Sequence, residues 1–375
     1  LRISFVLLFA VFSLSLAADT ITVVSSSNAV FSAIAQSQAG DVIILADGEY
    51  AESNKLVITH PLRLQAAEGA SPVIRLKSRV ELSADLTLSG LQWLADGASE
   101  AIRMLPGEQS YVVQIERCTF QHFSSKIIRA YASDQAEPYI RSLDIVGCQF
   151  RPAAGARCIE ASAANRQVAN LSIRNTTFDG GAGAGRFIYF NSAEGTTVES
   201  ALLDHCTFYN AHDTRCIYLG NIDGAQVSNC IFMNANYNAD HKSYCVYGSN
   251  TLLTHCISYN ADPYVRSGAQ ANKVSVQNPY FVDAPNGNFQ LYSNSPAVAM
   301  GTDGSAIGDP SWGISTEEAD RSDEPYRPYK MPYTMSPTTS SIKVLWQMAE
   351  ESKPSPAIVW YGTDKEHLSD SILTD

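Results

Sequence analysis

The chain has 375 residues, enough for two domains or one long one, and 45% of them are hydrophobic while 17% are charged. This composition excludes a disordered chain, and the formal net charge of -12 argues against a general nucleic-acid-binding protein. Residues 1–17 combine one positive charge, a short apolar run and small residues at Ser15 and Ala17. The pattern predicts a signal peptide rather than a membrane anchor, and hence a secreted, periplasmic or cell-surface protein without a membrane span.

A short amphipathic helix is predicted next, within SSSNAVFSAIAQSQAGD at 25–41. Ser and Asn precede it as candidate caps, Val30, Phe31 and Ile34 supply an apolar side, and Gly40 ends it. A strand follows in DVIILADGEY at 41–50. An open stack of repeats exposes a hydrophobic end, so this helix is expected to act as a cap.

A phrase such as LDHCTFYNA at 203–211 recurs along the chain at steps of 24 to 30 residues. Its central column reads Cys118, Cys148, Thr176, Cys206, Cys230, Cys256, and two residues later stand Phe120, Phe150, Phe178, Phe208, Phe232, Ser258. The residue before the central column is Arg117, Gly147, Asn175, His205, Asn229 or His255. Gly, Asn and His accept positive φ more readily than most residues, so each phrase predicts a strand, a one-residue bend and another strand.

A further strand precedes each phrase, with a column of Ile102, Ile128, Ile159, Ile188, Ile217 and Val246. Three short strands in each coil, without intervening helices, predict an all-β fold: a right-handed parallel β-helix, a pectate-lyase-like solenoid, over residues 18–313. Leucine-rich repeats have a similar period but need a Leu-rich consensus that these residues lack. Because neighbouring ladder residues point in parallel, the eight cysteines are expected to be mostly free thiols.

The C-terminal part is predicted to be a separate segment. Residues 278–313 are rich in Gly, Pro and Asn and are expected to close the stack, and 314–334 form a polar, Pro-rich linker. Two strands are predicted in SIKVLWQMAEE at 341–351 and PAIVWYGTD at 356–364. Residues 335–375 resemble the start of the fibronectin type III-like domain of purple acid phosphatases, which implies a truncated β-sandwich and a fragment of a longer protein.

Alternate residues of the strand at the Ile column are expected to face outward, where they form a second column. This column reads Arg103, Arg129, Glu160, Tyr189, Tyr218, Tyr247. Stacked tyrosines can bind sugar rings and arginines can bind carboxylates, although β-sheets also use such ladders structurally. A basic column at the start of the strand, Lys126, Arg157, Arg186 and Arg215, is expected from its parity to lean inward at a turn.

Three features together resemble the chondroitinase B and alginate lyase group of polysaccharide lyases: DVIILADGEY at 41–50 after the capping helix, the coil pattern, and NPYFVDAPNGNFQLYSNSPAVAMG at 278–301. That resemblance implies β-elimination on uronic-acid polysaccharides, with a lysine base, an arginine acid and often calcium, and it makes the outward column the floor of the substrate groove. The matching strands, CIYLGN at 216–221 and CVYGSN at 245–250, contain neither lysine nor arginine.

Two further hypotheses concern metal and function. Asp213, Asp240 and Asp262, with the nearby Asn210, Asn234 and Asn260, are candidate calcium ligands, since calcium prefers several hard oxygens. The same asparagines also suit ordinary turns. The sequence favours a protein that binds acidic polysaccharide, with cleavage of that polysaccharide as an extension of the same hypothesis. The alternatives are a non-catalytic surface module and an accessory region of a larger metallophosphoesterase.

Overall fold

The structure is a computed structural model, and it describes residues 18–131, 139–163, 167–192, 198–212, 215–220, 222–235, 244–248, 250–261, 265–266, 270–321, 328–335, 343–348, 357–361 and 370–374. Residues 1–17, the predicted signal peptide, lie outside this set, and secretion stays a prediction. The chain divides into one unit that ends at Ala319 and a second that begins at Asp320. The first unit is the predicted right-handed parallel β-helix, so the fold prediction is confirmed.

The strands of the β-helix form three parallel ladders, and most coils contribute one strand to each of them. Ladder 1 contains Thr20–Val23, Val42–Leu45, Leu62–Ala66, Leu86–Ser89, Tyr111–Glu116, Ile140–Val146, Val168–Arg174, Val198–Asp204, Ile222–Ser228, Thr251–Tyr259 and Gln270–Ser275. Ladder 2 contains Glu49–Glu52, Val73–Leu76, Gln92–Ala95, Thr119–Gln121, Gln149–Arg151, Thr177–Ala184, Thr207–Ala211, Ile231–Met233 and the second half of Thr251–Tyr259. Ladder 3 contains Leu56–Ile58, Val80–Leu82, Glu100–Met104, Lys126–Ala130, Arg157–Ala163, Ile188–Ser192, Arg215–Leu219, Tyr244–Gly248 and Val265–Arg266.

The bend between ladders 1 and 2 is a single residue with positive φ, as the recurring phrase predicts. This φ is 64° at Gly147, 50° at Asn175 and His205, 54° at Asn229 and 51° at His255. Arg117 takes the same conformation, with φ of 49°, although arginine rarely adopts left-handed backbone. The position therefore demands left-handed backbone from whichever residue occupies it.

The interior of the stack is filled by side chains in register. The predicted phenylalanine column is confirmed: adjacent rings of Phe120, Phe150, Phe178, Phe208 and Phe232 are stacked with centroids 4.9–5.2 Å apart. Trp93 extends the column on the N-terminal side, 6.2 Å from Phe120. All eight cysteines are buried and free, which confirms the thiol prediction. Identical side chains thus repeat along the axis because each coil packs on the one before it.

The predicted capping helix is present at Ala29–Gln36, with Val30 and Ile34 buried. The residue that precedes the helix, Asn28, makes no side-chain capping hydrogen bond. Instead, the carboxylate of Glu52 accepts hydrogen bonds from the backbone N–H groups of Val30, at 2.9 Å, and Phe31, at 3.2 Å. The expectation of a Ser or Asn cap was therefore wrong, because a carboxylate from the neighbouring strand satisfies these donors. Phe31 is exposed rather than packed. No helix in the described part of the chain is long and apolar enough to cross a membrane.

The segment predicted to close the stack, 278–313, packs along the outer side of ladder 2. It contains the antiparallel strands Phe281–Asp283 and Asn288–Leu291 and the 3-10 turns Ala284–Asn286, Pro296–Ala299 and Pro310–Trp312. Thr177 Oγ1 donates to Asp309 Oδ2 at 2.7 Å, and Trp312 Nε1 donates to Thr177 Oγ1 at 2.8 Å. These contacts fix the segment beside the coils.

The second unit is described by four strands in two antiparallel pairs. Lys343–Met348 and Ala357–Tyr361 lie within the two strands predicted there, and they pair with Pro328–Met335 and Asp370–Thr374 respectively. The prediction that 328–334 belong to a linker was wrong. Two prolines obscured the alternation of Tyr and Met in this strand, although an edge strand tolerates proline. A fibronectin type III-like domain stays a prediction.

Candidate functional site

The outer side of ladder 3, named here the ladder 3 face, carries the outward column in register. Arg103 pairs with Arg129, Arg129 with Glu160, and Glu160 with Tyr189 on successive strands. Tyr189 then pairs with Tyr218, and Tyr218 pairs with Tyr247. Parallel strands lie about 4.8 Å apart, so the six positions span about 24 Å along the helix axis. The structure brings the five predicted substrate-binding residues, Arg103, Arg129, Tyr189, Tyr218 and Tyr247, into one line with Glu160.

The basic column lies on the same face, so the prediction that it leans inward was wrong. Ile127 and Ile128 are both fully buried, which breaks the alternation of the strand at its start. Lys126 therefore points outward, and its ammonium lies 3.7 Å from Glu160. The guanidinium of Arg186 likewise lies over the ring of Tyr189. Arg215 belongs to the same column, and its side chain lies outside the described set.

Three glutamates alternate with cations along this face. Glu81 contacts Lys55 at 2.6 Å and Arg79 at 2.7 Å. Glu100 accepts a hydrogen bond from Arg103 Nε at 2.8 Å and contacts Arg129 at 3.3 Å.

Glu160 contacts Arg129 at 3.9 Å and Lys126 at 3.7 Å, and it accepts a hydrogen bond from Arg157. The glutamate side chains on this face are 4–12% exposed and the paired cations are 18–45% exposed. The carboxylates therefore lie beneath the cations, and solvent meets mainly positive groups.

The charge balance of this face is opposite to that of the whole chain. Among the residues that the structure describes here, the contacting groups comprise three glutamates and seven cations: Lys55, Arg79, Arg103, Lys126, Arg129, Arg157 and Arg186. The chain as a whole has a formal net charge of -12. Burial of Glu81 opposes its ionisation, but hydrogen bonds from Lys55 and Arg79 outweigh that effect and lower its pKa. A local positive strip on an acidic protein attracts anionic ligands.

Aromatic rings organise the cations at two places. The guanidinium carbons of Arg103 and Arg129 lie 5.4 and 5.6 Å from the ring centroid of Tyr131, which is 42% exposed. Those of Arg157 and Arg186 each lie 4.6 Å from the centroid of Tyr189. All four distances are within the range of cation–π attraction. Tyr189 therefore supports arginines, in addition to its place in the tyrosine column.

The tyrosine column continues beyond these arginines. Tyr189 and Tyr218 are tilted by 44° with centroids 5.1 Å apart, while Tyr218 and Tyr247 are stacked at 4.7 Å and 8°. All three side chains are half-buried. The column places half-buried aromatic rings beside the cations.

Part of this face was not anticipated from the sequence. Glu100 pairs with Lys126 in the ladder, so the basic column would have revealed it had the column been extended by one coil. Tyr131 follows the strand that ends at Ala130 and recurs on no other coil, so periodicity gives no signal for it. Lys55 and Arg79 lie in coils that precede the recurring phrase; Arg79 is two residues from Glu81 in the chain, and the fold brings Lys55 to Glu81 from the preceding coil.

The candidate calcium ligands cannot be placed on this face. Asp213, Asp240 and Asp262 lie outside the described residues, and calcium at these turns stays a prediction. Asn210, Asn234 and Asn260 have positive φ of 60°, 52° and 46°, as expected for residues that form turns. Within the described ranges, no group of three or more His, Cys, Asp or Glu side chains is arranged to hold a metal ion.

Comparison with known proteins gives a partial sequence match and a distant structural one. Residues 201–312 match the model of a family described as a domain of unknown function (DUF5123), and no curated protein matches the chain. A solved PL6 family alginate lyase, AlyGC, is similar with a TM-score of 0.47 and 19% identity, over 70% of this chain and 40% of that chain. A mutant of that enzyme gives 0.43 and 16% over the same shares. This chain thus spans about 40% of the length of those lyases.

Proposed function

We propose that this protein binds acidic polysaccharide along the ladder 3 face and acts outside the cytoplasm. The observation that supports the proposal is the layered arrangement of charges: seven cations lie at the surface over three more deeply placed glutamates. The guanidinium group of arginine can bind a carboxylate through two hydrogen bonds, and half-buried tyrosine rings can contact sugar rings. Export is supported by the pattern of residues 1–17.

The proposal concerns binding, and cleavage is not part of it. A β-elimination needs a base at the uronate C5 proton and an acid at the leaving oxygen. The strands that the lyase resemblance makes equivalent to those positions carry Tyr218 and Tyr247 outward. A purely structural tyrosine ladder remains the competing account of the same residues.

Affinity electrophoresis in gels that contain polygalacturonate, alginate or neutral cellulose derivatives tests the proposal. Both acidic polymers should retard the protein, and the neutral polymer should leave its mobility unchanged. Equal mobility in all three gels would contradict the proposal and leave the structural ladder as the account of this face. New ultraviolet absorbance on mixing with alginate, which an unsaturated uronate product would give, would instead show that the protein cleaves the polymer.

A further inference from the structure

Among the charged side chains that the structure describes on the ladder 3 face, Glu160 is the least exposed, with 4% of its side chain accessible. Its Oε1 atom lies 3.7 Å from the Lys126 ammonium and 3.9 Å from Arg129 Nε, while Oε2 accepts from Arg157. Two of these cations come from the preceding strand and one from the strand of Glu160 itself. A single buried carboxylate therefore joins three cations that the backbone would otherwise leave independent.

Stability alone does not account for a carboxylate at this position. Burial of a charged group carries a desolvation cost that attraction to its partners only offsets. The same ladder position holds Tyr189, Tyr218 and Tyr247 on the next three coils, so an uncharged side chain fits there. Long cationic side chains also lose conformational freedom when they are held in one arrangement. An arrangement fixed before the ligand arrives spares that loss at the moment of binding.

We propose that Glu160 is a positioning residue, which holds the charged ends of Lys126, Arg129 and Arg157 in the arrangement that receives carboxylates of an acidic glycan. This inference rests on the proposed function. Glu160 itself lies beneath the cations and does not touch the ligand. Its own charge opposes anion binding, and its contribution comes through the geometry of the groups above it.

The two effects of Glu160 have opposite signs, which makes the role testable. If the cations acted only through their electrostatic attraction, Glu160→Gln would remove one negative charge from the face and tighten the binding of an anion. If Glu160 positions them, the same substitution weakens binding even though the site becomes more positive. Glu160→Asp keeps the charge and draws the carboxylate back by one methylene, so under the positioning role it weakens binding as well.

Isothermal titration with a galacturonate hexasaccharide measures these effects on the full chain. Both variants should bind about tenfold more weakly than wild type, and the dependence on salt should be shallower in Glu160→Asp. Glu49→Gln is the matched control, since Glu49 pairs with Arg75 on ladder 2, away from the site. It should bind within about twofold of wild type.

The outcomes separate the two proposals. If wild type binds the hexasaccharide and Glu160→Gln binds it equally well or more tightly, the positioning role is overturned and the proposed function stands. An absence of wild-type binding would remove both. Should Glu160→Gln fail to fold, judged by its melting curve, Glu160→Asp decides: affinity and salt dependence equal to wild type would overturn the role.

Discussion

The guanidinium carbon of Arg157 lies 4.6 Å from the ring centroid of Tyr189, although the two residues belong to consecutive coils. Arg186, three residues before Tyr189 in the chain, lies at the same distance from the same ring and 5.8 Å from the ring of Tyr218. The aromatic and cationic parts of the ladder 3 face are thus one connected surface. Substitution of either part should affect ligand binding through the other.

Tyr218 occupies the centre of the tyrosine column and gives the first prediction. Tyr218→Ala should weaken the binding of acidic oligosaccharides by about 1 kcal/mol, because it removes a ring from the stack beside Arg186. Tyr218→Phe keeps the ring and should bind as wild type does, within about twofold. Calorimetric titration measures both, and matching melting curves show that the fold is retained. Equal affinities for all three proteins would indicate that the column is structural.

Arg117 gives a prediction about stability. It is the one bend residue in the phrase whose side chain disfavours the left-handed φ of 49° that the backbone requires. Arg117→Asn should raise the free energy of unfolding by up to about 1 kcal/mol, since Asn accepts this conformation more readily. The substitution also removes the hydrogen bond from Arg117 Nη2 to Ser89 Oγ. Because that bond is exposed to solvent, its loss should offset little of the gain in stability. Urea unfolding measures the change, and a clear decrease would contradict the prediction.

Asp204 gives a prediction about pH. Burial opposes ionisation of its carboxyl, but hydrogen bonds from His205, Ser228 and Asn229 outweigh burial and lower its pKa below the ordinary value. A carboxyl with a lower pKa in the folded state stabilises the fold above its unfolded pKa, and that contribution is lost as the pH falls through the folded value. Asp204→Asn should therefore be less stable than wild type near pH 7.

The difference between Asp204→Asn and wild type should shrink as the pH falls below about 4, where the unfolded carboxyl takes up its proton. Urea unfolding curves at pH 7 and pH 3 measure the two differences. A difference that is the same at both pH values would show that Asp204 acts through packing rather than through its charge.

The cysteine ladder predicts how the thiols react. All eight cysteines are buried, and burial raises the pKa of Cys118 to about 12. Because the thiolate is the reactive form, a thiol reagent should leave the native protein unmodified and label all eight residues after denaturation. Mass spectrometry before and after unfolding in guanidinium counts the labels. Rapid labelling of the native protein would contradict the interior placement of these residues.

The periodicity of the sequence was sufficient to predict the ladders. It did not predict where two adjacent residues of a strand are both buried, which breaks the alternation of inward and outward side chains. The Phe120 and Ile128 columns follow from counting alone, because identical environments recur in each coil. Strict alternation failed at Lys126, since Ile127 and Ile128 both face the interior. The contacts of Glu160 with three cations depend on side-chain reach across strands, which the sequence does not specify.

The C-terminal segment shows the same limit over a longer range. Its turn-rich composition predicted an end to the stack, while the contacts of Asp309 with Thr177 join positions 132 residues apart. Side-chain hydrogen bonds between such distant residues have no local signal. The fold of each coil was therefore predictable from the sequence, and the way in which this segment lies beside ladder 2 was not.

The salt dependence of glycan binding by wild type and Arg129→Gln is the measurement that tests the central claim most directly. Arg129 contacts Glu100 and Glu160 and lies over Tyr131, so it stands at the centre of the positive strip. Both proteins are titrated with galacturonate oligosaccharide at 50 and 300 mM salt. The affinity of wild type should fall as the salt concentration rises. Arg129→Gln should bind more weakly than wild type, and its affinity should change less with salt. A neutral oligosaccharide should show neither effect. Binding that is absent at 50 mM salt, or identical in the two proteins, would contradict the account.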